Sequence, residues 1–239
     1  VIPEGADASP GLAYGSDDLD LFAHARQWKA LWSARVRPFV VGDVLEVGAG
    51  IGSNTAILHG DAVSSWRCLE PDPRLAARAR DATRGLLACE VVVGTIEGQP
   101  LEAFDSILYV DVLEHVKDDR RETALAAARL RPGGRLVVLA PAHPSLYSPF
   151  DRAVGHHRRY DAASLRACRP QGCVETRLEY LDSAGLLLSW GNRALLRQSM
   201  PTLRQILVWD RLVVPVSRVL DPLLGRRVGK SILCAWKRE

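Results

Sequence analysis

Long apolar runs are missing from this 239-residue sequence. Nowhere does it hold the about 18 uninterrupted apolar residues of a bilayer-spanning helix, so a soluble chain with at most peripheral membrane contact is expected. Charge of one sign is missing too: 31 Lys and Arg stand against 28 Asp and Glu, a net charge of +3, so no nucleic-acid partner is expected. Cysteine is sparse and unpatterned. Cys68, Cys89, Cys168, Cys173 and Cys234 form neither an even framework nor a close Cys-x-x-Cys pair, which argues against a disulfide scaffold and a thiolate zinc site. They read as structural thiols in a reduced, cytoplasmic setting, Cys168 and Cys173 included. The N-terminal stretch Val1 to Asp20 lacks the basic start and apolar core of an export signal. Internal repeats, low-complexity tracts and composition shifts are also lacking, so a single domain over residues 1–239 is expected.

What is present is a 47% hydrophobic chain, enough for one large core. Leu19 to Val40 reads as a helix with Leu21, Phe22, Trp28, Leu31, Trp32 and Val36 on one side. From Asp43 onward short apolar runs alternate with helical stretches, the pattern of βαβ units and a mainly parallel sheet. Strands are predicted at Val44 to Val47, Ser65 to Glu70, Cys89 to Val93, Ser106 to Val110, Arg135 to Ala140, Val174 to Tyr180 and Ser231 to Trp236. Helices are predicted at Ser53 to His59, Pro73 to Thr83 and Asp119 to Leu130, the last stopped by Arg131-Pro132-Gly133-Gly134.

The segment Val44-Leu45-Glu46-Val47-Gly48-Ala49-Gly50-Ile51-Gly52-Ser53 reads as a buried strand, a glycine-rich turn and a helix start. Glycine admits positive φ and lets a ligand approach where a Cβ would collide, although a tight strand-to-helix turn needs glycine on geometry alone. Glu70 closes the next strand about 20 residues on, where Rossmann-type folds place a carboxylate to accept hydrogen bonds from ribose hydroxyls. Its plain alternative is a solvated strand-end charge. Ser53 stands where a dinucleotide loop needs its third glycine, and no Tyr-x-x-x-Lys pair occurs. A nicotinamide oxidoreductase is therefore disfavoured.

Val44 to Gly52 resembles the first motif of the class I S-adenosylmethionine (SAM) dependent methyltransferases, and Cys68-Leu69-Glu70-Pro71-Asp72 resembles their second. Phe104 to Val116 is similar to their fourth-strand motif, and Leu130 to Gly134 to the turn that follows, so the likeness covers about residues 40–145. The resemblance implies an α/β, Rossmann-like, mainly parallel seven-stranded sheet ordered 3-2-1-4-5-7-6, with helices on both faces. It implies SAM across the carboxyl ends of the strands and S-adenosylhomocysteine as product. Glu46 and the backbone of Gly48, Ala49, Gly50 and Gly52 would hold the methionine end, Glu70 and Pro71 the ribose, Thr95 and Ile96 the adenine. Asp111 and Val112 would lie beside the methionine moiety. Relatives often carry an acidic residue where Thr95 follows Gly94. The implied layout is an N-terminal arm and lid helix (1–40), a SAM-binding core (41–145), a substrate loop (146–160), a helical cap (181–229) and a final strand (230–239).

Four of six histidines, His115, His143, His156 and His157, follow the fourth and fifth strands and are candidate proton acceptors, as is Tyr160. His115 has the alternative of capping a helix or packing under the loop. The stretch Gly155-His156-His157-Arg158-Arg159-Tyr160 resembles a Gly-His-x-Arg-Arg-Tyr signature of a bacterial subgroup of these enzymes. Arg158 and Arg159 suit bidentate binding of an anionic carboxylate or phosphate acceptor, or pairing with Asp151, Asp161 or the N-terminal arm as structural glue. Tyr147 and Trp28 are further candidate acceptor contacts, Trp28 with Trp32 either closing over the cofactor or packing on the sheet. No clustered oxygen ligands follow the fifth strand, and no metal is expected.

Leu181 to Gly229 reads as broken helices punctuated by Pro201, Pro215 and Pro222, with Arg204, Arg211, Arg218, Arg226 and Arg227 among apolar residues. A lid or dimer face is favoured over contact with an anionic membrane surface. The expected activity is methyl transfer from SAM to a small-molecule acceptor, hydrophobic or anionic, on oxygen by in-line displacement, in a monomer or homodimer. A catalytically silent SAM-binding module is the alternative.

Overall fold

The computed structural model describes residues 16–195 and 200–239. Helices Ser16–Ala23 (α1) and Arg26–Val36 (α2) precede strand Gly42–Val47 (β1). The single helix predicted over Leu19 to Val40 is therefore two, followed by a 3-10 turn at Arg37–Phe39. The break falls at Ala25, which is fully buried and leaves helical geometry at φ −79° and ψ 71°. After β1 come Thr55–Leu58 (α3), Val63–Glu70 (β2), Pro73–Thr83 (α4), Cys89–Val93 (β3), Phe104–Val110 (β4) and Asp119–Arg129 (α5). The helix predicted from Ser53 to His59 shrinks to the four residues of α3, because the glycine loop spends Ile51–Asn54 in turns.

Strand β5, Leu130–Pro141, starts earlier than the predicted turn allowed. Leu130 pairs with Phe104 and Arg135 with Ser106, and the Pro132-Gly133-Gly134 stretch lies in the register shift between them, as a bulge inside the strand. Pro149–Ala153 (α6), Ala162–Arg166 (α7) and Cys173–Leu181 (β6) follow. The cap comprises Ser183–Leu195 (α8), Leu203–Val208 (α9), a π turn Trp209–Val213 and Val214–Leu223 (α10), and the chain closes on Ser231–Arg238 (β7). Among the described residues no helix is long and apolar enough to cross a membrane.

The seven strands form one sheet in the order β3-β2-β1-β4-β5-β7-β6 that the resemblance implied, and β7 runs antiparallel to both neighbours. Alternate residues feed two cores: Leu108, Val110, Val137 and Leu139 pack on one face with Trp28, Trp32 and Trp209. Ile107, Tyr109, Leu136 and Val138 pack on the other with Ala126, Tyr160 and Leu165. The five cysteines are all free. Parallel register aligns the strand ends: Val47 lies beside Leu69 and Tyr109, Glu70 beside Val93, and Val110 beside Leu139. The loops after β1, β2, β3, β4 and β5 therefore meet at one sheet edge. Between β1 and β4 the chain order reverses, which is where open α/β sheets form their ligand crevice.

Candidate functional site

The loop leaving β1 is built on close approach. Gly48 has φ +69°, and a Cβ there would sit 2.6 Å from Cγ2 of Val112, so glycine brings the loop against the chain leaving β4. The Gly48 and Ala49 N–H groups donate to the Leu69 carbonyl (2.8 and 3.1 Å), tying the loop to the end of β2. Glu70 faces it from there. Its Oε2 accepts from Gly50 N–H (2.9 Å) and its Oε1 from Asp72 N–H (2.9 Å), and the side chain is buried. Burial raises the Glu70 carboxyl against those two hydrogen bonds. A carboxylate oxygen carries more than one acceptor direction, so both remain able to take a hydroxyl proton. Pro71 and Thr95 are exposed at the same edge. Ile96, by contrast, is 1% exposed in the core beneath it, so it forms floor where an adenine-facing wall was expected.

Glu46 turns inward. Its Oε2 accepts from Thr55 Oγ1 (2.5 Å) and Trp66 Nε1 (3.1 Å), linking β1 to α3 and β2. Burial lifts its carboxyl to about 7, opposed by those hydrogen bonds and by Lys29. A carboxyl with a raised folded-state pKa favours the fold while protonated, so that contribution is present below its unfolded value and lost as pH rises through about 7. Glu46→Gln is expected to be more stable than the parent by about 3 kcal/mol near pH 8 and equal to it near pH 4. Urea midpoints at the two pH values check this; a variant destabilised at both would show that the hydrogen bonds outweigh the buried charge.

Asp111 follows β4 with φ +54°, its N–H donating to the Leu139 carbonyl (2.8 Å) and its side chain open to the cleft. The surrounding protein lifts its carboxyl to about 6, against the opposing pull of His156, Lys230 and Lys29. Two lysines thus stand near Asp111 beside the residues named from the sequence. Lys29 donates to Ser53 Oγ (2.9 Å) and Lys230 stands 3.6 Å from Asp182 Oδ2. Burial lowers both ammonium groups.

Two of the four singled-out histidines come together. The rings of His115 and His156 meet edge to face at 4.6 Å. His156 Nδ1 lies 2.9 Å from Asp151 Oδ1, and its Nε2 lies 3.7 Å from Oε1 of Glu114. Glu114 is fully buried, and neither of its oxygens has a hydrogen-bond partner among the described residues. Burial, then Asp111 and Asp151, raises its carboxyl well above the usual range. One nitrogen of His115, one of His156 and a Glu114 oxygen lie within 4.8 Å of one another. Burial, with His156 adding, holds the His115 imidazole down at about 3, so it stays neutral.

The remaining candidates are placed elsewhere. His143 Nε2 is 2.9 Å from the Gly229 carbonyl and its ring stacks on Tyr180. His157 is exposed, its N–H donating to the Glu114 carbonyl (2.8 Å). Tyr147 donates to the His156 carbonyl (2.6 Å), which fixes the loop. Tyr160 donates to Asp119 Oδ2 (2.9 Å), and burial followed by that aspartate pushes its phenol up, so it is a strut and not a base. Arg158 pairs with Asp119 (2.5 Å) and donates to the Lys117 carbonyl (2.7 Å), while Arg159 pairs with Asp151 (2.7 Å). Of the two readings for these arginines, the structure shows the structural one. Trp28 is buried against Trp209, ring centroids 5.9 Å apart, and forms core, not a lid.

Glu114, Lys29 and Lys230 escaped the sequence reading as site residues. Glu114 stood inside a quoted motif, but nothing in its spacing says that it is buried. The lysines come from α2 and from just before β7, brought to Asp111 only by the fold.

Residues 45–138 match a family model described as a methyltransferase domain. An uncharacterized 37.1 kDa protein in transposon TN4556 of Streptomyces fradiae is 33% identical over 134 residues, covering 54% of this chain and 39% of that protein. A demethylmenaquinone methyltransferase of Tropheryma whipplei is 34% identical over 115 residues, 46% of each chain. This chain thus spans less than half the length of these two relatives. An S-adenosylmethionine dependent methyltransferase from Mesorhizobium loti superposes with a TM-score of 0.61 at 19% identity, over 91% of this chain and 100% of that one. Residues 45–138 accordingly carry a methyltransferase domain signature, set in a chain that takes the Rossmann-like fold seen in such enzymes.

Proposed function

We propose that the chain transfers a methyl group from SAM to a small-molecule acceptor, on oxygen, across the edge formed by the loops after β1, β2 and β4. The observation that carries this reading is the clasp of Glu70 on the glycine loop, inside the segment that matches the methyltransferase domain. The residues fit the cofactor. Glu70 has acceptor capacity left for a ribose diol, and Lys29 beside Asp111 matches the carboxylate and ammonium of a methionyl group. SAM, when bound, supplies an electrophilic methyl on a cationic sulfur; the chain holds donor and acceptor in line and excludes water.

His156 is the residue suited to take the acceptor proton. Asp151 holds its Nδ1, which leaves Nε2 as the basic atom, on the side of the ring that faces Glu114. Burial, then the negative charges of Asp111 and Asp151, raises the carboxyl of its neighbour Glu114, which disfavours a second negative charge there.

The test is binding and turnover measured separately. S-adenosylhomocysteine is expected to bind the parent, and Glu70→Ala to weaken it roughly 100-fold, the effect of losing two hydrogen bonds to a charged group. Radiolabelled methyl from SAM is expected to enter a component of a bacterial extract with the parent and not with Glu70→Ala. Binding without incorporation would assign the chain a silent SAM-binding role; no binding would remove the cofactor reading.

A further inference from the structure

The cap helices are amphipathic in the reverse sense. The run from α9 through the π turn to α10 places Ile206, Asp210, Val214, Ser217 and Asp221 on its buried side. Three of these five are polar, and each is used. Asp210 accepts from Trp28 N–H (2.9 Å), Ser217 donates to Asp182 (2.5 Å), and Asp221 accepts from Asp182 and Ser183 N–H (2.9 Å each). At about 100° per residue the opposite side is the stripe Val208, Leu212, Val216, Val219 and Leu223. These five are 47% to 76% exposed. Beside the run, α8 exposes Leu187 and Trp190, the latter 63% exposed. Isolated exposed apolar residues are ordinary, but a continuous stripe opposite a polar buried face is not.

Charge selects what covers it. Arg204, Arg211 and Arg218, each exposed, recur every seven residues along one flank of the stripe, and Arg227 follows. Between residues 183 and 230 the sequence has only two acidic residues, Asp210 and Asp221, and both are buried. Within the cap itself the face is therefore apolar, its exposed charges are all basic, and it carries an exposed tryptophan, the composition of a surface that lies on anionic lipid. A second copy of the chain fits less well, since a two-fold contact through the stripe would bring its arginine rows together.

The geometry points to α8 and the α9–α10 run as a docking face for an anionic membrane surface. The face adjoins the cleft: α8 starts just after β6 and the chain re-enters the sheet at Ser231, beside Leu181 and Pro141, at the edge where the strand loops meet. This goes beyond the methyl-transfer reading and does not depend on it.

Co-sedimentation with vesicles tests the assignment. The chain is expected to bind phosphatidylcholine vesicles containing phosphatidylglycerol about tenfold more strongly than phosphatidylcholine alone, and to be released by salt. Leu212→Ser/Leu223→Ser, with an unchanged circular dichroism spectrum, is expected to lose binding about tenfold, because both side chains face outward. Arg211→Glu/Arg218→Glu is expected to abolish the preference for phosphatidylglycerol. Equal or no binding to the two vesicle types would overturn the inference. So would sedimentation equilibrium showing a dimer that the leucine variant dissociates, which would assign the stripe to a second copy.

Discussion

Asp151→Ala is expected to cost about 3–5 kcal/mol of stability, because it strands a buried cation and opens a loop at once. Oδ1 of Asp151 accepts from Arg159 Nε (2.7 Å) and from the His156 ring (2.9 Å), and Oδ2 accepts from Ser148 N–H and Oγ (both 2.8 Å). Burial raises the Asp151 carboxyl, but the hydrogen bonds from His156, Arg159 and Ser148 more than reverse this and hold it far below the usual range. A depressed carboxyl contributes stability that is present above its unfolded pKa and lost as pH falls through the acid range. The stability gap between the parent and Asp151→Ala should therefore narrow on acidification, while the other depressed carboxyls, such as Asp119 and Asp161, titrate alike in both proteins. Asp151→Asn, which keeps acceptor capacity toward Ser148, should recover part of the loss. Urea unfolding of the three proteins reads this out; a loss below about 1 kcal/mol in the alanine variant would mean that Arg159 finds another partner.

A loss of similar size, confined to the cap, is expected for Asp221→Ala. Asp221 lies on α10 and is fully buried, yet its carboxylate caps the start of α8 by accepting from the N–H groups of Asp182 and Ser183. Alanine leaves both donors in the interior without partners, about 3–5 kcal/mol for two buried groups and a lost charge-assisted cap. The first effect should be local opening of α8, seen as faster amide exchange there than in β1 or β4. Uniform acceleration over all strands would show that cap and sheet unfold as one body.

How much of this was legible in the sequence depended on where the deciding force was local. Helix α4 and strand β3 match their predicted limits, because Asp72 caps the helix by accepting from Arg74 N–H (2.8 Å), Pro73 opens it, and β3 is a short β-branched run. The sheet order came with the methyltransferase resemblance that the motifs carry. The break at Ala25 was not legible, since no glycine or proline marks it. In the cap nothing in the sequence marks Asp210, Ser217 and Asp221 as inward-facing; they turn in because Asp210 and Asp221 accept from backbone N–H groups and Ser217 donates to Asp182. The π turn before Pro215 was equally hidden: Val214 N–H reaches back to the Trp209 carbonyl, which lets the helical run continue past a proline that was expected to break it. At the site, spacing was enough to bring out the glycine loop and Glu70 as neighbours, and the Asp151 pairing of Arg159 was one of the alternatives open in the sequence, whereas Asp119 as partner of Arg158 was not. Their partners Asp119 and Asp151 are chosen by packing between segments far apart or folded back on themselves.

Strand β7 occupies the slot between β5 and β6, and β6 bonds to the sheet only through it. The slot imposes an order on the molecule's fluctuations. Whenever β7 slips out, β6 loses all its strand pairing, while β5 keeps β4. Backbone amides of β6 can therefore be no better shielded from deuterium than those of β7. The cap strung between the two strands is anchored to α2 as well, Ile206, Trp209 and Val214 packing with Trp28 and Trp32, so the lower ceiling belongs to β6 and β7 beside the more durable β2-β1-β4-β5 slab.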